Sequence, residues 1–209
     1  MLTDLSLMMY SFVRLFRRMP PIPFQILVPG LVIVISWPLL RIGFDDARAA
    51  FMVSFVAAMA LRLAMQADNN IRSTRVHLSA QSTVALTLIL GPGVLGLMIL
   101  AADPMLCQRF LSLYFLVIAA LYIIDVVDGR STLVRHFWPD PQMRAGDATM
   151  TRVMAVYNLA MVLLNETVMQ TASQTTWLLY FGLLPLLSHV VMTALVRTVR
   201  TGFGGQASA

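Results

Sequence analysis

The stretch FLSLYFLVIAALYII, residues 110–124, contains no charged side chain and decides the fold class of this chain. A helix needs roughly 20 mainly apolar residues to span the hydrocarbon core of a bilayer, within a range of about 17–25. The stretch reaches the lower limit if it continues past Asp125 to residue 126. The sequence here predicts a transmembrane helix.

The overall composition also indicates a protein whose main solvent is the lipid bilayer. Of the 209 residues, 58% are hydrophobic and 12% are charged, and the mean hydropathy is +0.77. A soluble domain is about 45–50% apolar and about 25% charged. These values exclude soluble enzymes, disordered chains and secreted scaffolds. The single cysteine, Cys107, excludes an intramolecular disulfide.

Further apolar stretches on both sides of residues 110–126 are long enough to cross a membrane. We expect an all-α polytopic transmembrane bundle with about six spans in a single domain, residues 1–200, followed by a flexible tail, residues 201–209. The predicted spans lie near residues 24–40, 49–65, 82–101, 110–126, 152–170 and 177–196.

The first 19 residues form a different kind of segment. On a helical wheel, most of their apolar side chains share one side, whereas Arg14, Arg17 and Arg18 share the other. Such a helix lies in the membrane interface with its arginines among anionic headgroups. The alternative is an ordinary lead-in to the first span. Pro20 and Pro21 end the helix in either case.

The arginines predict the orientation of the spans. All 15 basic residues are Arg, and 12 of them fall on one side of the six-span arrangement. By the positive-inside rule, that side and both termini are cytoplasmic. Because the arginines lie between long apolar runs, we expect them to contact lipid headgroups and no nucleic acid.

The fifth predicted span carries polar residues. Thr151, Asn158 and Asn165 are spaced seven apart and share a helix face, which we expect to pack against another helix. Glu166, the only Glu, lies one residue round from that face. Intramembrane carboxyls are costly and usually face a bundle interior. Glu166 is therefore either a proton or cation relay or, as we favour, a carboxyl that is protonated or hydrogen-bonded across helices and so fixes their pairing.

The string Asp125-Val126-Val127-Asp128-Gly129-Arg130 is the most enzyme-like part of the chain. It begins like the D-x-x-D-G signature of membrane CDP-alcohol phosphotransferases, but the places that should hold the rest of that signature do not match it. Two carboxylates alone rarely hold a catalytic metal. We interpret Asp125 and Asp128 as a pair at a helix end whose carboxylates balance the charge of nearby arginines.

No other constellation indicates catalysis, a cofactor or a metal. The three histidines are dispersed, without the paired spacing of haem or zinc ligands. For His189, inside the last span, a hydrogen bond across the bundle is the expected role. The large aromatic residues at predicted span boundaries indicate an interfacial aromatic belt: Phe137, Trp138, Trp177 and Tyr180.

The C-terminal half resembles the bacterial intracellular septation protein A family. The shared strings are Gly129-Arg130-Ser131, Met150-Thr151-Arg152, Asn165-Glu166-Thr167-Val168 and Ser173…Trp177…Phe181-Gly182. The Trp that follows the N-E motif in the family is Met169 here, and the Lys of the last family motif is absent. The resemblance implies a small inner-membrane protein associated with septation and envelope integrity, and no catalytic reaction. It also implies that the residues matching the family strings are functionally important, although it assigns them no mechanism: Gly129, Arg130, Arg152, Asn165, Glu166 and Trp177.

We therefore expect a non-enzymatic protein of the bacterial inner membrane that acts through other integral membrane proteins in septation, envelope work or membrane homeostasis. Two alternatives stay open. One is an accessory or assembly subunit of a respiratory or photosynthetic complex. The other is a small transporter or proton channel that uses Glu166.

Overall fold

The computed structural model describes residues 22, 24–75, 92–138 and 146–204. Within these ranges the regular structure is entirely helical, as the composition predicts. The helices are α1 (Phe24–Gly43), α2 (Ala47–Arg75), α3 (Val94–Ala101), α4 (Pro104–Val127), α5 (Thr132–Phe137), α6 (Asp147–Thr171) and α7 (Gln174–Gly204).

Four of these helices are long and apolar enough to cross a membrane, by length and composition. The qualifying segments are Ile26–Gly43, Ala47–Met65, Pro104–Val127 and Gln174–Val199. Helix α6 covers the predicted fifth span but is not among the four; its polar residues include Asn158, Asn165 and Glu166. Of the predicted third span, residues 82–91 lie outside the described residues, as does the predicted interfacial helix, residues 1–19.

Three helices begin with the side-chain cap that their sequences offer. The carboxylate of Asp46 accepts a bond from the backbone N–H of Arg48, and that of Asp103 accepts one from Met105. At α7, the hydroxyl of Ser173 accepts the backbone N–H of Thr176. Such caps satisfy amides that have no partner inside the helix. Helix α4 thus begins six residues before the apolar stretch at Phe110 that predicted it.

The chain divides into two compact units, and α4, α6 and α7 each contribute residues to both. The described part of the first unit comprises Phe24–Tyr114, apart from residues 76–91, and Met161–Pro185. Helix α1 packs against α2 in this unit. Four buried aromatic rings from α2 and α7 form the core of the unit: Phe51, Phe55, Trp177 and Phe181.

In the first unit, α1 and α7 also meet at two glycines. A Cβ atom on Gly30 would collide with the carbonyl oxygen of Gly182, and one on Gly182 would lie 3.3 Å from the Cα of Gly30. Small residues at such crossings let two helix backbones approach closely. The contact leaves no room for a Cβ on Gly30 and little room for one on Gly182.

The second unit comprises Phe115–Ala160 and residues 186–204 of the described chain. Its core is a cluster of buried side chains from α4, α5, α6 and α7: Tyr122, Val134, Met150, Met154, Ala155 and Val199. The short helix α5, which the sequence did not predict, places Val134 in that cluster with 0% exposure.

Candidate functional site: a polar junction between helices

The side-chain amide of Asn165 lies at the centre of a hydrogen-bond network in the first unit. Its Nδ2 donates to the backbone carbonyl of Gln108 (3.0 Å) and to the hydroxyl of Ser112 (2.8 Å) on α4. Its Oδ1 accepts a 2.9 Å bond from the indole N–H of Trp177 on α7. Asn165 is 0% exposed. One amide thus joins α6 to two other helices, and both ends of it are satisfied.

Glu166 belongs to the same network. The hydroxyl of Ser112 donates a 2.6 Å bond to its Oε1 while accepting the bond from Asn165. A hydroxyl has one donor and two acceptor sites, so the Ser112 hydroxyl can bond to Asn165 and Glu166 at the same time. These two residues are adjacent in α6. Glu166 lies five residues before the end of α6 and is partly exposed. We call Ser112, Asn165, Glu166 and Trp177 the polar junction.

Trp177 is held from both sides. Its ring stacks on Phe181 at 5.4 Å between centroids, with Phe51 and Phe55 at 5.9 and 6.0 Å. Trp177 is 0% exposed, so its prediction as part of an interfacial aromatic belt is wrong. Its N–H has found a partner in Asn165, as a buried indole requires. Phe137, by contrast, is 60% exposed.

The stripe predicted on α6 is buried along its length: Thr151 is 1% exposed and Asn158 3%. Their bonds stay within the helix, however. Thr151 donates to the carbonyl of Asp147 and Asn158 to that of Met154, at 2.8 and 2.7 Å. Within the described part of the chain, Asn165 is the one of these three that bonds to other helices.

The string from Asp125 to Arg130 forms the end of α4. The amide of Arg130 bonds to the carbonyl of Asp125 while Gly129 adopts φ 65°, a helix-ending conformation that glycine takes most easily. The buried carboxylate of Asp125 accepts the N–H of Leu133 at the start of α5, 2.8 Å away. The exposed Asp128 pairs with Arg130 at 3.9 Å. Each acidic residue of the pair thus has a local structural partner.

Two further polar groups in the second unit stand apart from the polar junction. Asp147, in the first turn of α6 and 3% exposed, accepts a 2.8 Å bond from the Nε of Arg135 on α5. His189 was expected to bond across the bundle. Its Nε2 is instead buried with no hydrogen-bond partner in the described chain.

Sequence reasoning missed the α4 side of the polar junction. Gln108 and Ser112 are four residues apart and both 8% exposed, so they share a buried helix face. Two polar residues at that spacing beside an apolar run were the available signal. Of the other predicted contacts, Arg14, Arg17 and Arg18 lie outside the described residues.

The chain matches no protein-family model, no curated protein and no solved structure. Across the residues that the structure describes, no three His, Cys, Asp or Glu side chains are grouped so that they could hold a metal ion. The geometry of the polar junction therefore carries the functional argument.

Proposed function

We propose that this protein is a non-enzymatic membrane protein that acts through other integral membrane proteins in septation or envelope maintenance. The observation that carries the proposal is the bond from Trp177 Nε1 to Asn165 Oδ1 at 2.9 Å. Asn165, Glu166 and Trp177 are residues through which the C-terminal half resembles the septation protein A family. In this chain they meet in one network that joins three helices.

The polar junction favours a structural role over a transport role. The amide of Asn165 is satisfied by protein groups at both ends, and Glu166 accepts from Ser112. Groups bonded in this way fix helix pairing, whereas a relay needs groups that can exchange partners along a path. A helix framework fixed in this way presents constant surfaces to partners in the bilayer.

The proposal includes six spans in the bacterial inner membrane, with both termini cytoplasmic and residues 1–19 along the interface. The contact between Arg48 and Ala102 supports the third span. Helix α2 has 29 residues and rises about 43 Å at about 1.5 Å per residue. The chain from Arg75 to Ala102 must therefore return over a similar distance, and we propose the third span, near residues 82–101, as that return.

The fifth span has similar support. Helix α6 has 25 residues and a length of about 38 Å. Gln174, just after it, lines the same cleft as Arg48 and Asp103. The turns that follow α1, α3 and α6 thus lie together in the first unit, as alternating spans require.

Gene deletion and crosslinking in the native host test the proposed role. We expect deletion to lengthen cells or weaken the envelope, and expression of the wild-type protein to restore normal cells. Because the partners require a correctly packed helix surface, we expect Asn165→Leu to restore normal cells poorly and Thr167→Val to restore them fully. Crosslinked partners should be division or envelope-synthesis proteins. Normal division after deletion, with crosslinks to cofactor-bearing respiratory or photosynthetic subunits, would overturn the proposal.

Glu166→Gln separates the structural role from transport. Glutamine keeps an oxygen that accepts from Ser112 but removes the ionisable group. In liposomes containing purified protein, we expect the variant and the wild type to give the same proton flux as empty vesicles. Wild-type flux above that background, lost in Glu166→Gln, would establish a channel or transporter instead.

A further inference from the structure

The starts of three helices in the first unit surround an open cleft of about 370 Å³, within the range of roughly 300–1,000 Å³ common for ligand sites. The polar lining consists of Arg48 from α2, Asp103 and Gln108 from the start of α4, and Gln174 from the start of α7. Pro104 and Met105 complete it. The polar junction described above does not use these side chains.

The side chain of Gln108 is the first sign of a ligand. Gln108 is 8% exposed and lines the cleft, yet its side-chain amide has no hydrogen-bond partner among the described residues. An occupant of the cleft could bond to this amide in place of water.

The guanidinium of Arg48 is anchored at its Nε, which leaves its terminal nitrogens available for an anionic group. Its Nε donates a 2.7 Å bond to the carbonyl of Ala102, which adopts the left-handed φ of 47°. The described residues offer no partner to its terminal nitrogens, and none of their carboxylates lies within 4 Å of the guanidinium. A guanidinium anchored in this way presents its remaining donors to phosphate or carboxylate oxygens.

Asp103 argues against a simple anion. Its Oδ1 caps α4, and the described residues supply no cation within 4 Å of its carboxylate. Asp46, close to Arg48 in sequence, likewise caps α2. An anion alone would meet this negative charge, whereas a ligand with separate positive and negative groups would match both Arg48 and Asp103.

The surroundings of the cleft fit a lipid. Turns between membrane helices lie at the level of the headgroups. Just beyond Asp103, the side chains of Met105 and Leu106 are 56% and 46% exposed on α4 and offer an apolar surface to acyl chains. The chemistry indicated is a phosphate joined to an ammonium group above a hydrocarbon chain.

We propose that this cleft binds the headgroup of an ethanolamine phospholipid, with the phosphate on Arg48 and Gln108 and the ammonium on Asp103. The inference does not depend on the partner proposal above or on which face of the membrane the cleft occupies. The lipid would join α2, α4 and α7 at one end of the bundle.

Lipid titration of the full-length protein, delipidated in maltoside detergent, tests the site. We expect phosphatidylethanolamine to bind in preference to phosphatidylglycerol, measured by native mass spectrometry. Arg48→Gln should weaken binding about tenfold or more, as loss of a charge-assisted phosphate contact implies. The control Arg109→Gln removes the same charge from an exposed position of α4 outside the cleft and should leave affinity within about twofold.

Asp103→Asn provides the second, sharper test. Asparagine keeps the helix cap, so the fold is retained while the charge is lost. We expect this variant to bind the two lipids equally. Equal binding of both lipids by the wild type, or equal effects of Arg48→Gln and Arg109→Gln, would overturn the proposal. Free O-phosphoethanolamine serves as competitor: weak competition supports the lipid, and competition at the affinity of the lipid would replace it with a soluble ligand.

Discussion

Asn165 shows at the residue scale how a polar side chain stabilises an apolar bundle. Its amide occupies a site with 0% exposure, where water cannot replace a lost bond. Each of its partners on α4 and α7 would lose a bond if it were removed. The value of Asn165 lies as much in the groups it satisfies as in its own bonds.

Replacing Asn165 by Leu should therefore lower the free energy of unfolding by about 1–3 kcal/mol, because the buried Trp177 indole loses its acceptor and the Gln108 carbonyl loses one of its donors. Unfolding in mixed detergent micelles measures this. Thr167→Val is the matched control on the same helix, since Thr167 is exposed and its hydroxyl donates to the carbonyl of Leu163 within that helix. Equal losses for the two variants would contradict the role given to Asn165.

At the element scale, helix pairing depends on the close approach of α1 and α7. Gly30→Ala should cost about 1–3 kcal/mol, because the added methyl group meets the backbone of Gly182 and forces the helices apart. Gly96→Ala in α3 is the control: a Cβ there meets nothing within 4 Å. We expect it to be neutral or stabilising by up to about 1 kcal/mol. Thermal unfolding in detergent distinguishes the two, and a stabilising Gly30→Ala would contradict the contact.

A buried carboxylate contributes to the link from α5 to α6, beside the apolar packing of Val134. Arg135→Gln should lower stability by about 1–3 kcal/mol, because Asp147 is then left buried without its cation. Arg130→Gln removes the same charge from the exposed pair with Asp128 and should cost less than about 0.5 kcal/mol. Chemical unfolding of both variants provides the comparison. A larger loss for Arg130→Gln would show that burial of Asp147 does not decide the effect.

Some elements could be predicted from the sequence because a local property determines them. Apolar runs located α1, α2, α4 and α7, and the spacing of seven placed Thr151, Asn158 and Asn165 on one buried face. The partners of Asn165 could not be predicted, since they depend on which helices become neighbours. Trp177 illustrates the difference: its position near a span end suggested lipid, but tertiary packing placed it among aromatic rings.

At the scale of the whole molecule, the claim is that the polypeptide crosses the bilayer six times. Four helices are long and apolar enough to cross a membrane, and we propose that the predicted third and fifth spans add two more crossings. The six-span arrangement places most arginines on one side, and the turns around Arg48, Asp103 and Gln174 on the other. An arrangement with four spans and one with six differ in whether positions 45 and 130 lie on the same side of the membrane or on opposite sides.

Cysteine labelling measures that sidedness directly, because Cys107 is the only cysteine and can be replaced. Single cysteines would be placed at the exposed positions Asp45, Arg130 and Thr175 and treated with a membrane-impermeant maleimide in intact cells. With six spans, we expect labelling of Asp45→Cys and Thr175→Cys from outside, and of Arg130→Cys only after the membrane is permeabilised. Labelling of positions 45 and 130 from the same side would contradict the six-span arrangement.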